Sequence, residues 1–106
     1  MAGKTSNPYI IQQVKNASPE KLILMLYEVG IKSCQAKDHP KAIKVVTELI
    51  AALNFEYKEI ALRLFDLYRY TLDQLHNRKY SEALTVLEGL HEVWESAVIN
   101  KRPVLG

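Results

Sequence analysis

The chain has 106 residues, enough for one domain with a single small core. Hydrophobic residues make up 48% and charged residues 25%, an ordinary globular balance; a net charge of +2 is too small for the basic face of a nucleic-acid binder. One cysteine, Cys34, excludes an intrachain disulfide, and the longest apolar run falls far short of the roughly 20 residues of a membrane span. Met1 to Ser6 carries one lysine and no apolar stretch, unlike a signal peptide, so the cytosol is the expected location, with neither nucleic acid nor membrane as partner.

Residues 1–8 are small and polar, end in Asn7-Pro8, and read as a flexible arm. Tyr9 to Val14 is a short amphipathic piece, one or two turns of helix that must dock or fray, because helix nucleation is costly. The first long helix is expected from about Pro19 to Lys37, with Ser18 as its cap, Pro19 at the first helical position and Glu20 favourably placed in the first turn. Its run Leu22-Ile23-Leu24-Met25-Leu26-Tyr27 covers most of the helix circumference, leaving a narrow polar strip of Lys21, Glu28, Lys32 and Gln35. A helix apolar nearly all round must be covered on more than one side, and a partner is expected to supply part of that cover.

Asp38-His39-Pro40 breaks the chain and starts a second helix, in which Ala42, Val45, Val46, Leu49, Ile50, Ala52 and Leu53 form the apolar stripe and Asn54 is the expected terminator. A third helix, from about Tyr57 to His76, is expected to bury Ile60, Ala61, Leu64, Phe65, Leu67, Tyr68, Leu72 and Leu75. Leu62 and Tyr70 fall off that stripe, on the face of Glu59, Arg63 and Asp66. After the polar link Asn77 to Tyr80, Ser81 is a candidate cap for a last helix reaching about Val98, with Leu84, Val86, Leu87, Leu90, Val93, Trp94 and Ala97 inward. No segment alternates like a half-buried strand, and no convincing internal repeat is visible. The expected fold is all-α: an antiparallel up-down four-helix bundle over residues 9–100 with a short N-terminal helical segment, and a short tail at 101–106.

Little in the chain carries chemistry. Asp73-x-x-His76 and Glu88-x-x-His91 have the spacing of di-iron bundle ligands, but Asp73 and His76 lie on the polar side of their helix. In a hairpin about residues 77–80 the two histidines are also offset by roughly 10 Å. Cys34 has no base placed to activate it and reads as a small buried residue. The glycines build no phosphate loop; Gly30 and Gly89, inside helices, read as points of close approach by another helix or a ligand backbone. No catalytic residue, cofactor or metal is expected, and the chain reads as a binding protein rather than an enzyme. Six tyrosines, together with the over-apolar first helix, suit a groove that receives an amphipathic helix.

A run of residues resembles a known family. Tyr9, Ile11-Gln12-Gln13, Asn16-Ala17-Ser18-Pro19-Glu20-Lys21-Leu22 and Met25-Leu26-Tyr27 resemble the opening signature of the FliS-type flagellar export chaperones. Leu53-Asn54-Phe55-Glu56, Glu59-Ile60-Ala61, Leu67-Tyr68-Arg69-Tyr70, and then Leu87, Leu90 and Trp94 continue the likeness, which spans residues 9–98. The chain departs from the family pattern at Val29-Gly30 and at Tyr57-Lys58, where the family carries Gly-Ala and a glycine-containing turn.

The resemblance implies a helical bundle that binds the C-terminal, polymerisation-prone segment of flagellin in the cytoplasm, prevents premature assembly and keeps the subunit ready for export. The export apparatus or a co-chaperone is a further partner it admits. The expected partner-binding residues are Ile23, Leu24, Tyr27 and Ile31 of the first helix, with Leu62, Tyr68 and Tyr70; Tyr9, Ile10, Ile11 and Val14 are the expected cap of an empty groove. The alternatives are a generic helical adaptor or homodimerisation module, including one that serves another flagellar protein, and a metal-dependent bundle enzyme.

Overall fold

The computed structural model describes residues 19–99, and over them the chain folds as four α-helices with no strand. We number them α1 (Pro19–Gln35), α2 (His39–Ala51), α3 (Lys58–His76) and α4 (Tyr80–Ile99). Each helix packs on its neighbour in the chain and α4 closes the ring against α1, giving an antiparallel up-down four-helix bundle. The expected arm, the Tyr9–Val14 segment, the Ser18 cap and the tail lie outside the described residues.

Local chemistry sets the helix ends. Asp38 caps α2, its carboxylate accepting from the Lys41 N–H at 3.3 Å, with Pro40 in the first turn. The C-terminus of α1 closes with the Lys37 N–H on the Cys34 carbonyl and the Asp38 N–H on the Ser33 carbonyl. α3 closes the same way, Arg78 on Leu75 and Lys79 on Gln74. In both turns the residue that bends the chain, Lys37 or Arg78, has a positive φ, a place glycine usually holds. Between α2 and α3 the link at 52–57 is folded by Asn54, whose side-chain oxygen accepts from the Glu56 N–H at 3.0 Å. Asn54 thus shapes the link rather than ending the helix, which stops at Ala51, and Ser81 lies inside α4 rather than capping it.

The core holds Tyr27 and Cys34 of α1, Ala42, Val45, Val46 and Leu49 of α2, Tyr68 and Leu75 of α3, and Ala83 and Leu87 of α4. Ala83 was not among the expected inward residues. Three that were, Ile60, Leu67 and Val93, are instead exposed, at 38%, 40% and 42%. Ala52 is exposed as well. The reason is geometric: each helix in the ring touches two neighbours, so only a narrow arc points at the centre, and apolar residues on its flank end at the surface.

The structure also reveals an internal repeat. The hydroxyls of Tyr27 and Tyr68 lie 2.6 Å apart, and His39 Nδ1 lies 2.9 Å from the Tyr80 hydroxyl; both pairs are separated by 41 residues. The same shift matches the two positive-φ turn residues, Lys37 with Arg78, and the buried pairs Gly30 with Thr71, Cys34 with Leu75, Ala42 with Ala83 and Val46 with Leu87. Equivalent residues that touch each other lie on a symmetry axis. The bundle is therefore two similar helical hairpins, α1–α2 and α3–α4, related by a pseudo-two-fold axis through the two contacts.

Candidate functional site

The apolar run of α1 is divided by its neighbours. Leu24 and Tyr27 turn into the core, Ile23, Met25 and Leu26 are half-buried, and Leu22 stands exposed. Pro19, Leu22, Ile23 and Leu26 meet Ala51, the last residue of α2, and Ala52 just after it across a shallow apolar groove of about 460 Å³, with Glu48 on its rim. Ile23 and Ala52 also border a deeper cavity of about 290 Å³ at the end of the bundle opposite the two tight turns. Leu53, Tyr57, Ile60, Leu64, Tyr68 and Trp94 line it further, with Asn54 among its few polar groups. The exposed aromatics Phe55 and Tyr57 of the link stand beside this end.

Two contacts from α4 hold α1 beside the groove. Trp94 donates its indole N–H to the Glu20 carbonyl at 3.2 Å, and its ring meets Tyr27 edge-on with centroids 6.2 Å apart. One turn earlier, His91 Nε2 lies 3.2 Å from the Glu28 carboxylate. His91 is therefore engaged with Glu28, while Asp73, His76 and Glu88 are exposed. Among the described residues no three His, Cys, Asp or Glu side chains gather as metal ligands.

Burial pushes the Cys34 thiol up from its ordinary value, the opposite of what a reactive thiolate needs. Burial also raises the hydroxyls of Tyr27 and Tyr68; their mutual hydrogen bond and proximity are secondary to it. Both are neutral phenols at physiological pH and serve as a hydrogen-bonded bridge between α1 and α3.

The expected partner-binding residues separate into three groups. Leu24, Tyr27 and Tyr68 are core residues, with Tyr27 at 0% and Tyr68 at 2% exposure, because the bundle's own packing claims the inward side of α1 and α3. Ile23 and Ile31 are half-buried, and Ile23 is brought to the groove and the end cavity. Leu62 and Tyr70 are exposed at 45% each on the outer side of α3, away from the groove. Residues 9–14, with the expected cap, lie outside the described residues. Sequence reasoning did not assign Leu22, Ala51, Ala52 or Tyr57 to the site: Leu22 fell within the apolar run and Ala52 on the expected apolar stripe, while Ala51 and the link residue Tyr57 carry little hydrophobic pattern.

Residues 1–101 match the family described as flagellar protein FliS. The chain belongs to the FliS family. No curated protein and no solved structure matches it individually. FliS proteins are flagellar export chaperones, and family membership gives this chain that role. No helix among the described residues is long and apolar enough to cross a membrane.

Proposed function

We propose that this chaperone binds the C-terminal segment of flagellin in the cytosol, keeps it from polymerising, and holds it ready for the export apparatus. The observation that carries the reading is the apolar surface left over at one end of a bundle whose core is otherwise complete: the α1–α2 groove and the cavity beside Trp94. An amphipathic segment, disordered when free, would order as helix over this surface. Ordering such a segment costs about 2–5 kcal/mol, and at about 25 cal/mol per Å² roughly 200 Å² of buried apolar area offsets the upper figure. The binding needs neither nucleotide nor metal.

Ile23 and Leu22 are the α1 residues that would touch the client, with Ile31, Leu62 and Tyr70 as outer contacts. Leu24, Tyr27 and Tyr68 would shape the site from beneath. The segment Tyr9, Ile10, Ile11 and Val14 would cover the groove in the empty chaperone; deleting residues 1–15 is then expected to tighten client binding, and unchanged or weaker binding would remove the cap from the scheme.

The test is calorimetric titration of the chain with a flagellin C-terminal fragment, with Trp94 emission and light-scattering mass recorded in parallel. A monomer that forms a 1:1 complex supports the reading. A dimer that ignores the fragment supports the homodimerisation alternative instead.

A further inference from the structure

The groove between α1 and α2 does not end at Leu26. Along α1 the residues Leu22, Leu26, Val29, Ser33 and Ala36 follow one another at alternating steps of four and three, which keeps them on one face of the helix. Lys41 and Glu48 of α2, and Ala52 just after it, answer them at steps of seven and four. The shallow groove at Leu22 and Leu26 therefore continues toward the tight turn, into a recess of about 290 Å³ that Val29, Lys32, Ala36 and Lys41 line.

The chemistry changes along this crease. Its far end is apolar, with Glu48 on the rim. At the turn end Lys32 and Lys41 are exposed, and neither has an ion-pair partner among the described residues. Asp38, the acid of the recess, is engaged as the cap of α2, accepting from the Lys41 N–H. The equivalent crease of α3 and α4 lacks both features. The 41-residue shift sets Arg63 and Glu92 where Leu22 and Ala51 stand, and Asp73 and Glu82 where Lys32 and Lys41 stand. An apolar floor leading to a basic end belongs to the α1–α2 hairpin and not to its mate.

We propose that Lys32 and Lys41 hold the chain-terminal carboxylate of the bound client, so that its last helix lies in the crease parallel to α1 with its C-terminus at the tight turn. The inference rests on the client reading above and gives it a direction. An α-helix carries partial negative charge at its C-terminal end, and the terminal carboxylate adds a full one. Leu22 and Lys32 are ten residues apart, about 15 Å of helix, so a docked helix of about three turns covers the apolar floor and delivers its end to the lysines. Laid the other way, the carboxylate falls on the apolar floor, on the side of Glu48 and away from both lysines, where its lost hydration is not repaid. Lys32 and Lys41 thereby also select: an amphipathic helix from the interior of a chain fits the floor but brings no terminal carboxylate.

The experiment titrates the wild-type chain and the double variant Lys32→Gln with Lys41→Gln by calorimetry. Each is titrated with the flagellin C-terminal fragment bearing its free terminal carboxylate, and with the same fragment amidated there. Both lysines are exposed, so the double variant is expected to melt with the wild type, which separates lost binding from lost fold. Amidation is expected to weaken binding to the wild type about threefold or more in low salt, and to leave affinity for the double variant nearly unchanged. A nitroxide on the last residue of the fragment is expected to broaden the amide resonances of residues 29–36 and to spare those of 19–23. An equal loss on amidation in both proteins, or no loss in either, overturns the carboxylate site while leaving the client reading. Broadening at 19–23, or along α3 and α4, overturns it as well. No binding by the wild type overturns the client reading and this inference together.

Discussion

Tyr27 and Tyr68 meet hydroxyl to hydroxyl at 2.6 Å in the interior of the bundle, from equivalent positions of its two hairpins. The bond ties α1 to α3, the diagonal pair of the ring, which share little other contact. Replacing one tyrosine with phenylalanine leaves the other hydroxyl buried without its partner, at a cost of about 1–3 kcal/mol. Replacing both removes the orphan. Tyr27→Phe and Tyr68→Phe are each expected to destabilise the chain, and the double variant to lose clearly less than the sum. Urea denaturation of the four proteins checks this; strict additivity would mean that the hydroxyls do not act as a pair.

The same pair sets an alkaline limit. Burial raises both phenols above the ordinary tyrosine value of 10.0. Above that pH the unfolded chain has released these protons and the native chain retains them, so the native state binds more protons and the free energy of unfolding falls as pH rises. Below it both states are protonated and the contribution is complete. Denaturation midpoints are expected to be insensitive to this pair near neutrality and to decline above pH 10, with a shallower decline in the variant that combines Tyr27→Phe with Tyr68→Phe.

The four helices were legible in the sequence because proline, aspartate and polar links punctuate strong 3.6-residue patterns. The position of each apolar residue around its helix was not. Leu67 and Tyr68 are consecutive, yet one is exposed and the other nearly fully buried, because one step rotates the side chain by about 100° and only the neighbours fix which arc is inward. The repeat was hidden for a related reason. At the 41-residue shift the identities are scattered, at Leu26/Leu67, Tyr27/Tyr68, Ala42/Ala83, Val45/Val86 and Leu49/Leu90, while other buried pairs change residue type. Gly30 opposite Thr71 and Cys34 opposite Leu75 share a place without sharing a residue type. The candidate site was read only in part, since α1 announced surplus apolar surface, Ala52 was expected to face inward, and Ala51 beside the groove and the link beside the end cavity carry little pattern.

The two helical glycines are expected to respond oppositely to alanine. At Gly89 the methyl enters open space, and the gain in helix propensity should stabilise by about 1 kcal/mol. At Gly30 the same gain is set against contacts of 3.1 Å to Leu87 and 3.2 Å to Val45. Val45 is β-branched and stiff within its helix, so the strain of over-packing, about 1–3 kcal/mol, should exceed the gain. Gly30→Ala is expected to melt below wild type and Gly89→Ala above it, in the same thermal scan.

Trp94 ties the last turns of α4 to the first turn of α1 through its bond to the Glu20 carbonyl. Trp94→Phe keeps an aromatic edge against Tyr27 but removes the donor, which should cost about 0.5–1.5 kcal/mol. The loss should be local. Hydrogen exchange is expected to quicken over the first turns of α1 and stay unchanged at the 36–38 and 77–79 turns, which the His39–Tyr80 bond holds independently. Uniform quickening across all four helices would mean that Trp94 supports the whole core instead.

Leu22 separates client binding from stability. It is exposed in the first turn of α1, so an aspartate there buries no charge and lies near the helix N-terminus, where negative charge is favourable. Leu22→Asp should therefore leave stability within about 0.5 kcal/mol of wild type. If the α1–α2 groove receives the apolar face of a helix, the same change places a carboxylate against that face and should weaken binding of the flagellin fragment at least tenfold. Leu62→Asp, at an exposed position on the outer side of α3, is the matched control and should weaken binding less. The reverse order would move the client's main contact from the groove to the outer face of α3.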